Sequence, residues 1–468
     1  MRQPLFSTLP PPKASALAGK RVLVLGMGDT GLSAARWVAA QGGKVRAADT
    51  RAAPPRQRDL AGWESSTGTF TPALLQGVDL VCKSPGLALS EPVVREAVAR
   101  GIPVLGDIEL FAWHVRASAT CKVLAVTGTN GKTTVAALTG HLLRAAAIDC
   151  EVAGNIGPAA LDALMQRGDR QPAAWVLELS SYQLETTWSL APEAAAMLNL
   201  SEDHFDRYGG LADYAQAKAR IFLGAGTQVL NRCDSASMAM MLQGRNQATF
   251  GMDAPAMPED FGLVAEGGRE WLARGAERVL AAEALPLHGR HNLSNALAAC
   301  ALAHAAGAPL AALAAGLRSF RGLPHRLERI AEAGGVAWYD DSKGTNVGAT
   351  LAALHGLGRR AVLIAGGEGK GQDFKPLAAA VQARARAVLL IGRDAPLIAD
   401  ALRATGVPLE RCATLQVAVQ RAAALAQPGE AVLLSPACAS FDMFRDYAHR
   451  GQVYAQAVRD AVKEGAGG

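Results

Sequence analysis

Short runs of consecutive apolar residues recur along the chain, each closed by glycine or a polar residue and followed by a segment with helical spacing. The first run is Arg21-Val-Leu-Val-Leu25, which ends at Gly26. A helical pattern follows from Leu32 to Ala40, and a second apolar run covers Val45 to Ala48. This order predicts a strand, a crossover helix and a parallel strand. A further strand is expected at Val78 to Cys82, closed by Ser84-Pro85-Gly86. The rhythm restarts at Val123-Leu-Ala-Val126, continues through a glycine-containing loop, and predicts a helix from Lys132 to about Ala147. Trp175 to Leu179 and Ala194 to Leu198 read as buried strands, each followed at once by polar residues. After Leu323-Pro324 a third series begins, with apolar runs at Ala361 to Ala365, Ala387 to Ile391 and Ala431 to Leu434 between alanine-rich helical segments. The expected fold class is therefore α/β, with consecutive units at 1–110, 111–322 and 323–468. In open parallel sheets ligands collect outside the carboxyl ends of the strands, so the polar residues at those ends are the candidate site.

Length and composition agree with this division. A chain of 468 residues exceeds one ordinary core, and with half its residues apolar and 19% charged it reads as a globular protein. A formal charge of +5 spread over this length suits anionic small molecules and excludes the dense basic footprint of a nucleic-acid binder. The cysteines at 82, 121, 150, 233, 300, 412 and 438 form no Cys-x-x-Cys pair and no zinc spacing, which predicts reduced thiols and a cytoplasmic setting. Met1 to Lys20 is proline-rich and lacks the apolar centre of a secretion signal. The alanine-rich stretch from Asn295 to Leu317 is interrupted by His304, Gly307 and Pro309, so it predicts two helices and no membrane insertion.

Candidate chemistry lies at the strand ends. Thr-Gly-Thr-Asn-Gly-Lys-Thr-Thr (Thr127 to Thr134) follows a strand and opens a helix. Gly128, Thr129, Asn130 and Gly131 can turn their backbone N–H groups onto phosphate oxygens, and the helix N-terminus adds partial positive charge. Lys132 can reach terminal phosphates, and the Thr133 hydroxyl is placed for Mg²⁺. The loop departs from the strict G-x-x-x-x-G-K-[ST] pattern, because Val126 stands where the first glycine would. Glu178 and the segment Ser201-Glu-Asp-His-Phe-Asp206 follow two further strands, and Mg²⁺ prefers hard oxygen ligands that bridge it to phosphates. Glu178 fits that chemistry and His204 would be a less usual ligand, although a lone Glu or His at a strand end is more often a cap or a solvated loop residue. Gly26-Met-Gly-Asp-Thr-Gly31, with Asp49 about twenty residues on, matches the dinucleotide fingerprint of the Rossmann fold. Alone it suggests a nicotinamide dehydrogenase. A second nucleotide loop would be redundant there, and a diphosphate also belongs to a UDP-sugar.

Taken together, these segments resemble a known family. The phosphate loop, Leu-Glu-Leu-Ser-Ser-Tyr-Gln-Leu-Glu (177 to 185), Asn-Leu-Ser-Glu-Asp-His-Phe-Asp-Arg-Tyr (199 to 208), His-Asn-Leu-Ser-Asn-Ala (291 to 296) and Leu-Pro-His-Arg-Leu-Glu (323 to 328) occur in this order. The ordered set resembles the Mur ligases of peptidoglycan synthesis over nearly the whole chain. Asp341-Ser-Lys-Gly-Thr-Asn346, Gly366-Gly-Glu-Gly-Lys-Gly-Gln-Asp-Phe374 and Leu434-Ser-Pro-Ala-Cys-Ala-Ser440 look like the D-glutamate-adding branch.

The resemblance implies a Rossmann-like N-terminal domain, a central P-loop-type ATPase domain and a Rossmann-like C-terminal domain. It implies an ADP-forming carboxylate–amine ligase that uses ATP and Mg²⁺, two ions being expected, with UDP-N-acetylmuramoyl-L-alanine and D-glutamate as substrates and a monomeric state. Asp29, Thr30, Asp49, Thr50, Arg51 and Gly86 would hold the uridine diphosphate, with Asn155, Ser180 and Gln183 nearer the muramoyl-alanine part. Gly128 to Thr134, with Lys132 central, and Asn292, Asn295, Arg326 and Asp341 would hold ATP. Thr133, Glu178, His204 and Lys218 would sit at the Mg²⁺ ions, Lys218 as a CO₂-derived carbamate, and Lys132, His204 and Lys218 would serve catalysis. Lys343, Thr345, Lys370, Ser440, Phe441 and Tyr447 would line the D-glutamate side. Asp29, Gly344 and Phe441 depart from the residues usual in the family at those positions.

Overall fold

The computed structural model describes residues 17–118, 121–287 and 289–466. The N-terminal sheet holds β1 (Arg21–Leu25), β2 (Lys44–Asp49), β3 (Glu64–Thr67), β4 (Leu80–Lys83) and β5 (Val104–Leu105) in the order β3-β2-β1-β4-β5. All its pairings are parallel, and the strand order reverses beside β1. The central strand β1 is covered on both faces, Val22 and Val24 entering one apolar cluster while Leu23 and Leu25 enter another, whereas the edge strand β3 is exposed. Burial on both faces is why the first strand reads as a continuous apolar run without alternation.

The central sheet holds β6 (Lys122–Thr127), β7 (Cys150–Gly154), β8 (Ala174–Glu178), β9 (Ala194–Met197), β10 (Thr227–Asn231), β11 (Gln247–Phe250), β12 (Phe261–Glu266), β13 (Arg269–Arg274) and β14 (Glu277–Ala281). Its order is β14-β13-β12-β11-β10-β9-β6-β8-β7. It runs parallel from β7 to β12 and turns antiparallel between β12 and β13. The antiparallel extension is partly exposed and has no continuous apolar run, so the pattern that predicted β6, β8 and β9 gave no sign of it. The alanine-rich stretch forms two helices, Arg290–Ala305 and Leu310–Ser319, separated at Gly307, whose φ is +107°. No helix of the described residues is long and apolar enough to cross a membrane.

The C-terminal sheet holds β15 (Glu328–Ala333), β16 (Val336–Asp340), β17 (Ala361–Gly366), β18 (Ala385–Ile391), β19 (Leu409–Arg411) and β20 (Ala431–Leu434) in the order β15-β16-β20-β17-β18-β19. Only the β15–β16 pairing is antiparallel among the described pairings. Leu363 and Ala365 pack into one core and Val362 and Ile364 into the other, the same two-faced burial as in β1.

By compactness the chain falls into two units. The first contains the N-terminal and central sheets, through Leu200 and then Ala212–Leu280 and Ala296–Leu317. The second contains Ser201–Leu211, Ala281–Asn295 and the chain from Arg318 onward.

Candidate active site

The phosphate loop lies at the carboxyl end of β6, between Thr127 and the helix Lys132–Ala145. Val126 is an interior strand residue paired with Glu178 on β8 and Ala196 on β9, so the turn begins two residues later, at Gly128. This explains the missing first glycine: the backbone there is still extended and needs none. The turn closes at Gly131, whose φ of +87° favours glycine. Asn199, at the end of β9, holds the loop in shape. Its side-chain oxygen accepts from the Asn130 N–H at 2.8 Å, its amide donates to the Asn130 carbonyl at 3.1 Å, and its own carbonyl accepts from the Thr129 N–H at 2.9 Å. The Lys132 ammonium donates to the Gly128 and Thr129 carbonyls, each at 2.9 Å. Thr133 and Thr134 are buried in the first helical turn.

Two more expected residues meet this loop. Lys218, on the helix Leu211–Ala219, is buried; its ammonium donates to the Gly128 carbonyl at 2.7 Å and lies 4.5 Å from the centre of the Tyr214 ring. A surface lysine would show none of this. Glu178 ends β8, the neighbour of β6, and is buried. One carboxylate oxygen accepts from the Asn155 amide at 2.7 Å, while the other, Oε2, has no hydrogen-bond partner. A buried carboxylate oxygen left without a donor is costly unless a cation completes it. The orphan oxygen and the hydroxyl-bearing Thr133 are a hard-oxygen donor set that fits Mg²⁺. Asn155, expected beside the acyl substrate, is thus also the residue that orients Glu178.

In the N-terminal sheet the expected uridine-diphosphate residues gather at the strand-order reversal, the usual ligand crevice. A Cβ on Gly31 would lie 1.8 Å from the Gly26 carbonyl oxygen, so only glycine lets the helix Asp29–Ala40 approach β1 this closely. Gly31→Ala is expected to lower the melting temperature, measured by calorimetry, because the added Cβ cannot fit against Gly26. Asp49 ends β2 and is already engaged: it accepts from the Met27 N–H at 2.7 Å and the Arg51 N–H at 2.9 Å, and pairs with the Arg51 guanidinium. Burial works against its charge, yet these hydrogen bonds prevail and hold its pKa at about 2. Asp29 is exposed and paired with Arg56 at 2.6 Å, so its departure from the family's apolar residue is met by a local cation. Thr30 lies in the same first helical turn, Thr50 follows the end of β2, and Gly86 follows β4 in the segment after Lys83.

Ser180 and Gln183 lie in the first unit, just before and on the short helix Ser181–Leu184, and the second unit holds the other expected residues. Asn292 and Asn295 lie one turn apart on the helix Arg290–Ala305 and are joined by a 3.2 Å hydrogen bond. Asp341 is buried after β16; it accepts from the Ser435 hydroxyl at 2.7 Å and the Leu327 N–H at 3.2 Å. Burial pushes its carboxyl up to about 7, against the pull of those bonds and of the Arg326 guanidinium. His204 has a φ of +57°, and its N–H donates to Asp203 Oδ1 at 2.9 Å. The Lys343 ammonium lies 5.0 Å from the centre of the Tyr447 ring. The Thr345 N–H donates to the Lys343 carbonyl at 3.0 Å, and Lys370 has a φ of +52°. Ser440 is buried, whereas the adjacent Phe441 is 70% exposed and offers an apolar surface.

Comparison with known proteins agrees with this geometry. Residues 20–106 match the Mur ligase MurD-like N-terminal domain, 126–303 the Mur ligase middle domain and 325–438 the Mur ligase glutamate ligase domain. The chain belongs to the Mur ligase family. A relative named UDP-N-acetylmuramoylalanine–D-glutamate ligase, from Nitrosospira multiformis, is 54% identical over 97% of this chain and 98% of its own. One of the same name from Methylobacillus flagellatus is 53% identical over 96% and 98%. Among solved structures, MurF from Acinetobacter baumannii (TM-score 0.62, 18% identity, covering 96% of this chain and 92% of its own) has the same three-domain α/β fold. So has UDP-N-acetylmuramate-alanine ligase MurC from Thermotoga maritima (TM-score 0.60, 20% identity, 94% and 99%).

In this Mur ligase three polar residues escaped sequence reasoning, the half-buried Asn199 and the buried Glu109 and Asp107. Asn199 was inside a quoted motif, and its place directly after a buried strand was the available signal. Glu109 and Asp107, on the helix Asp107–Ser118, sit within an apolar helix pattern that hides them. Burial pushes Asp107 up from 3.8 to about 6, although the Gln183 amide, nearby backbone N–H groups and the Lys83 charge favour its ionised form. A folded-state pKa above the ordinary value means the native chain holds this proton more tightly than the unfolded chain. Its contribution to stability therefore falls as pH rises from about 4 to about 6. Asp107→Asn removes that loss, so its melting temperature relative to the parent is expected to rise between pH 4 and pH 7, read by a thermal-shift series.

Proposed function

We propose that this Mur ligase joins D-glutamate to UDP-N-acetylmuramoyl-L-alanine with conversion of ATP to ADP, in the cytoplasm and as a monomer. A carboxylate is a poor electrophile. ATP phosphorylates the muramoyl-alanine carboxylate, and the D-glutamate amine attacks the resulting acyl phosphate, forming the amide and releasing phosphate. The observation that carries this reading is the meeting of the phosphate loop, Lys132, Lys218 and the half-satisfied Glu178 carboxylate at the ends of adjacent strands β6 and β8.

Phosphoryl transfer asks a protein chiefly for positioning and charge neutralisation. Asn199 already takes the Thr129 and Asn130 N–H groups, so these two shape the loop, and the remaining N–H groups at its helical end would cradle phosphate oxygens. Lys132, now on the loop carbonyls, would reach to the terminal phosphates. Thr133 and Glu178, with His204 and a carbamylated Lys218, would hold Mg²⁺, which when bound neutralises phosphate charge. Carbamylation by CO₂ would turn Lys218 from a cation into an anionic ligand. Asn292, Asn295, Arg326 and Asp341 complete the ATP site. Residues 1–110 bind the UDP moiety through Asp29, Thr30, Asp49, Thr50, Arg51 and Gly86. Asn155, Ser180 and Gln183, in the ATPase domain at 111–322, face the muramoyl-alanine. Residues 323–468 receive D-glutamate, with Lys343 and Lys370 opposite its carboxylates and Thr345, Ser440, Phe441 and Tyr447 around them.

The test is ADP release on UDP-N-acetylmuramoyl-L-alanine with D-glutamate, L-glutamate, L-alanine and lysine offered in turn. Release with D-glutamate alone is expected. Equal release with another amino acid would overturn the substrate assignment, and nicotinamide turnover without ADP release would overturn the ligase.

A further inference from the structure

Two buried carboxylates lie on the helix Asp107–Ser118 where it packs against the central domain, and their surroundings differ. Glu109 is fully engaged: it accepts from the Trp188 N–H at 2.8 Å, the Ser189 N–H at 3.0 Å, the Trp113 indole at 2.8 Å and the Ser189 hydroxyl. These bonds suffice to dock the helix. Asp107 is equally buried, yet its Oδ2 accepts one bond, from the Gln183 amide at 3.2 Å, and its Oδ1 has no partner of hydrogen-bond geometry. Docking gives no reason for a second, half-satisfied buried acid, which costs stability.

Its partner supplies the reason. Gln183 closes a capping box with Ser180, the residue two beyond Glu178. The Gln183 side-chain oxygen accepts from the Ser180 backbone N–H at 3.1 Å, and the Ser180 hydroxyl accepts from the Gln183 backbone N–H at 3.2 Å. A glutamine amide has an accepting end and a donating end, and turning it over would break the box. An ionised carboxylate only accepts. Asp107 therefore pins the NH₂ end toward itself and the carbonyl end toward Ser180. Lys83, buried at the end of β4, donates to the Ser84 carbonyl at 3.3 Å and favours the ionised Asp107. The same cluster thus reaches the strand end at which the N-terminal crevice is built.

We propose that Asp107 is a positioning residue for the acyl substrate, holding Gln183 in the one orientation that completes the Ser180 turn and presents both residues to the muramoyl-alanine part. This rests on the reading of Ser180 and Gln183 as substrate residues.

Initial rates with each substrate varied in turn, beside thermal melts, test it on Asp107→Leu, Gln183→Glu and the double variant Asp107→Asn/Gln183→Glu. Loss of one buried hydrogen bond predicts that Asp107→Leu raises KM for UDP-N-acetylmuramoyl-L-alanine about 10-fold, with KM for ATP changed less than about 2-fold. Gln183→Glu sets two carboxylates face to face and is expected to do the same. In the double variant the asparagine NH₂ donates to the new carboxylate, and coupled partners predict recovery to within about 3-fold of the parent. A merely structural acid would show no such reciprocal rescue. If Gln183→Glu leaves KM unchanged, the substrate reading of Gln183 fails and the proposal with it. If Gln183→Glu raises KM but the double variant does not recover, or Asp107→Leu folds with an unchanged KM, the positioning role is overturned while the substrate reading stands. Should Asp107→Leu not fold, the other two variants decide the matter.

Discussion

Lys132→Ala is expected to abolish ATP-dependent phosphate release, with a loss of about 100- to 1000-fold or more, the scale on which one transition-state charge contact acts. The magnitude follows from position. Lys132 opens the helix that begins at the loop, and its ammonium reaches the loop carbonyls of Gly128 and Thr129. Lys218 shares the Gly128 carbonyl with Lys132, at 2.7 Å, but as a carbamate it would carry negative charge and could not replace the Lys132 cation. The fold should survive, since Asn199 shapes the loop through three hydrogen bonds that do not involve Lys132. Single-turnover phosphate release beside an unchanged melting temperature is the measurement. Release within about 3-fold of the parent would remove the nucleotide assignment.

Lys218→Ala is expected to be comparably severe, and it separates two chemistries of one side chain. As an ammonium, Lys218 braces the Gly128 carbonyl at 2.7 Å and lies against the Tyr214 ring. As a carbamate, it would carry the opposite charge and complete the metal site beside Glu178, whose Oε2 is without a donor. Alanine removes both functions, and a small added carboxylate such as acetate can restore only the second. Partial rescue by acetate, absent with chloride at equal ionic strength, is the expected result. Inactivity without rescue would confine Lys218 to bracing the loop, and full activity would remove it from the site altogether.

Much of the scaffold was legible because its strands are buried on both faces. β1, β17, β18 and β20 feed alternate residues into two cores, so each appears as an unbroken apolar run. The runs were displaced by a residue or two at their ends: Val78 to Cys82 became Leu80–Lys83, and the helix expected to Ala147 ends at Ala145. The strands β3, β5, β7, β10 to β16 and β19 were missed. Several are short or exposed, as β3 is throughout; β10 is buried but carries polar Thr227, Gln228 and Asn231, and the β12–β13 hairpin carries charged residues such as Arg269 and Glu270 on its strands.

For the site, local sequence determined what can be decided within one turn of backbone: glycines at 128 and 131 for a phosphate cradle, a lysine and a threonine beside them, and acids directly after apolar runs. It also determined, through the order of its motifs, the family. Tertiary structure alone decided what depends on partners distant in the chain. Val126 is tolerated because β8 and β9 keep it in the strand. Asn130 is shaped by Asn199, and Glu178 is left with an orphan oxygen because Asn155 satisfies the other. Lys218, which reads as a solvated helix lysine, is buried because the helix Leu211–Ala219 brings it to a loop ninety residues earlier in the chain. The physical reason is common to all four. Burial and hydrogen-bond satisfaction are properties of the packed assembly, so a residue's charge acquires its cost, and its use, only when the chain has folded around it.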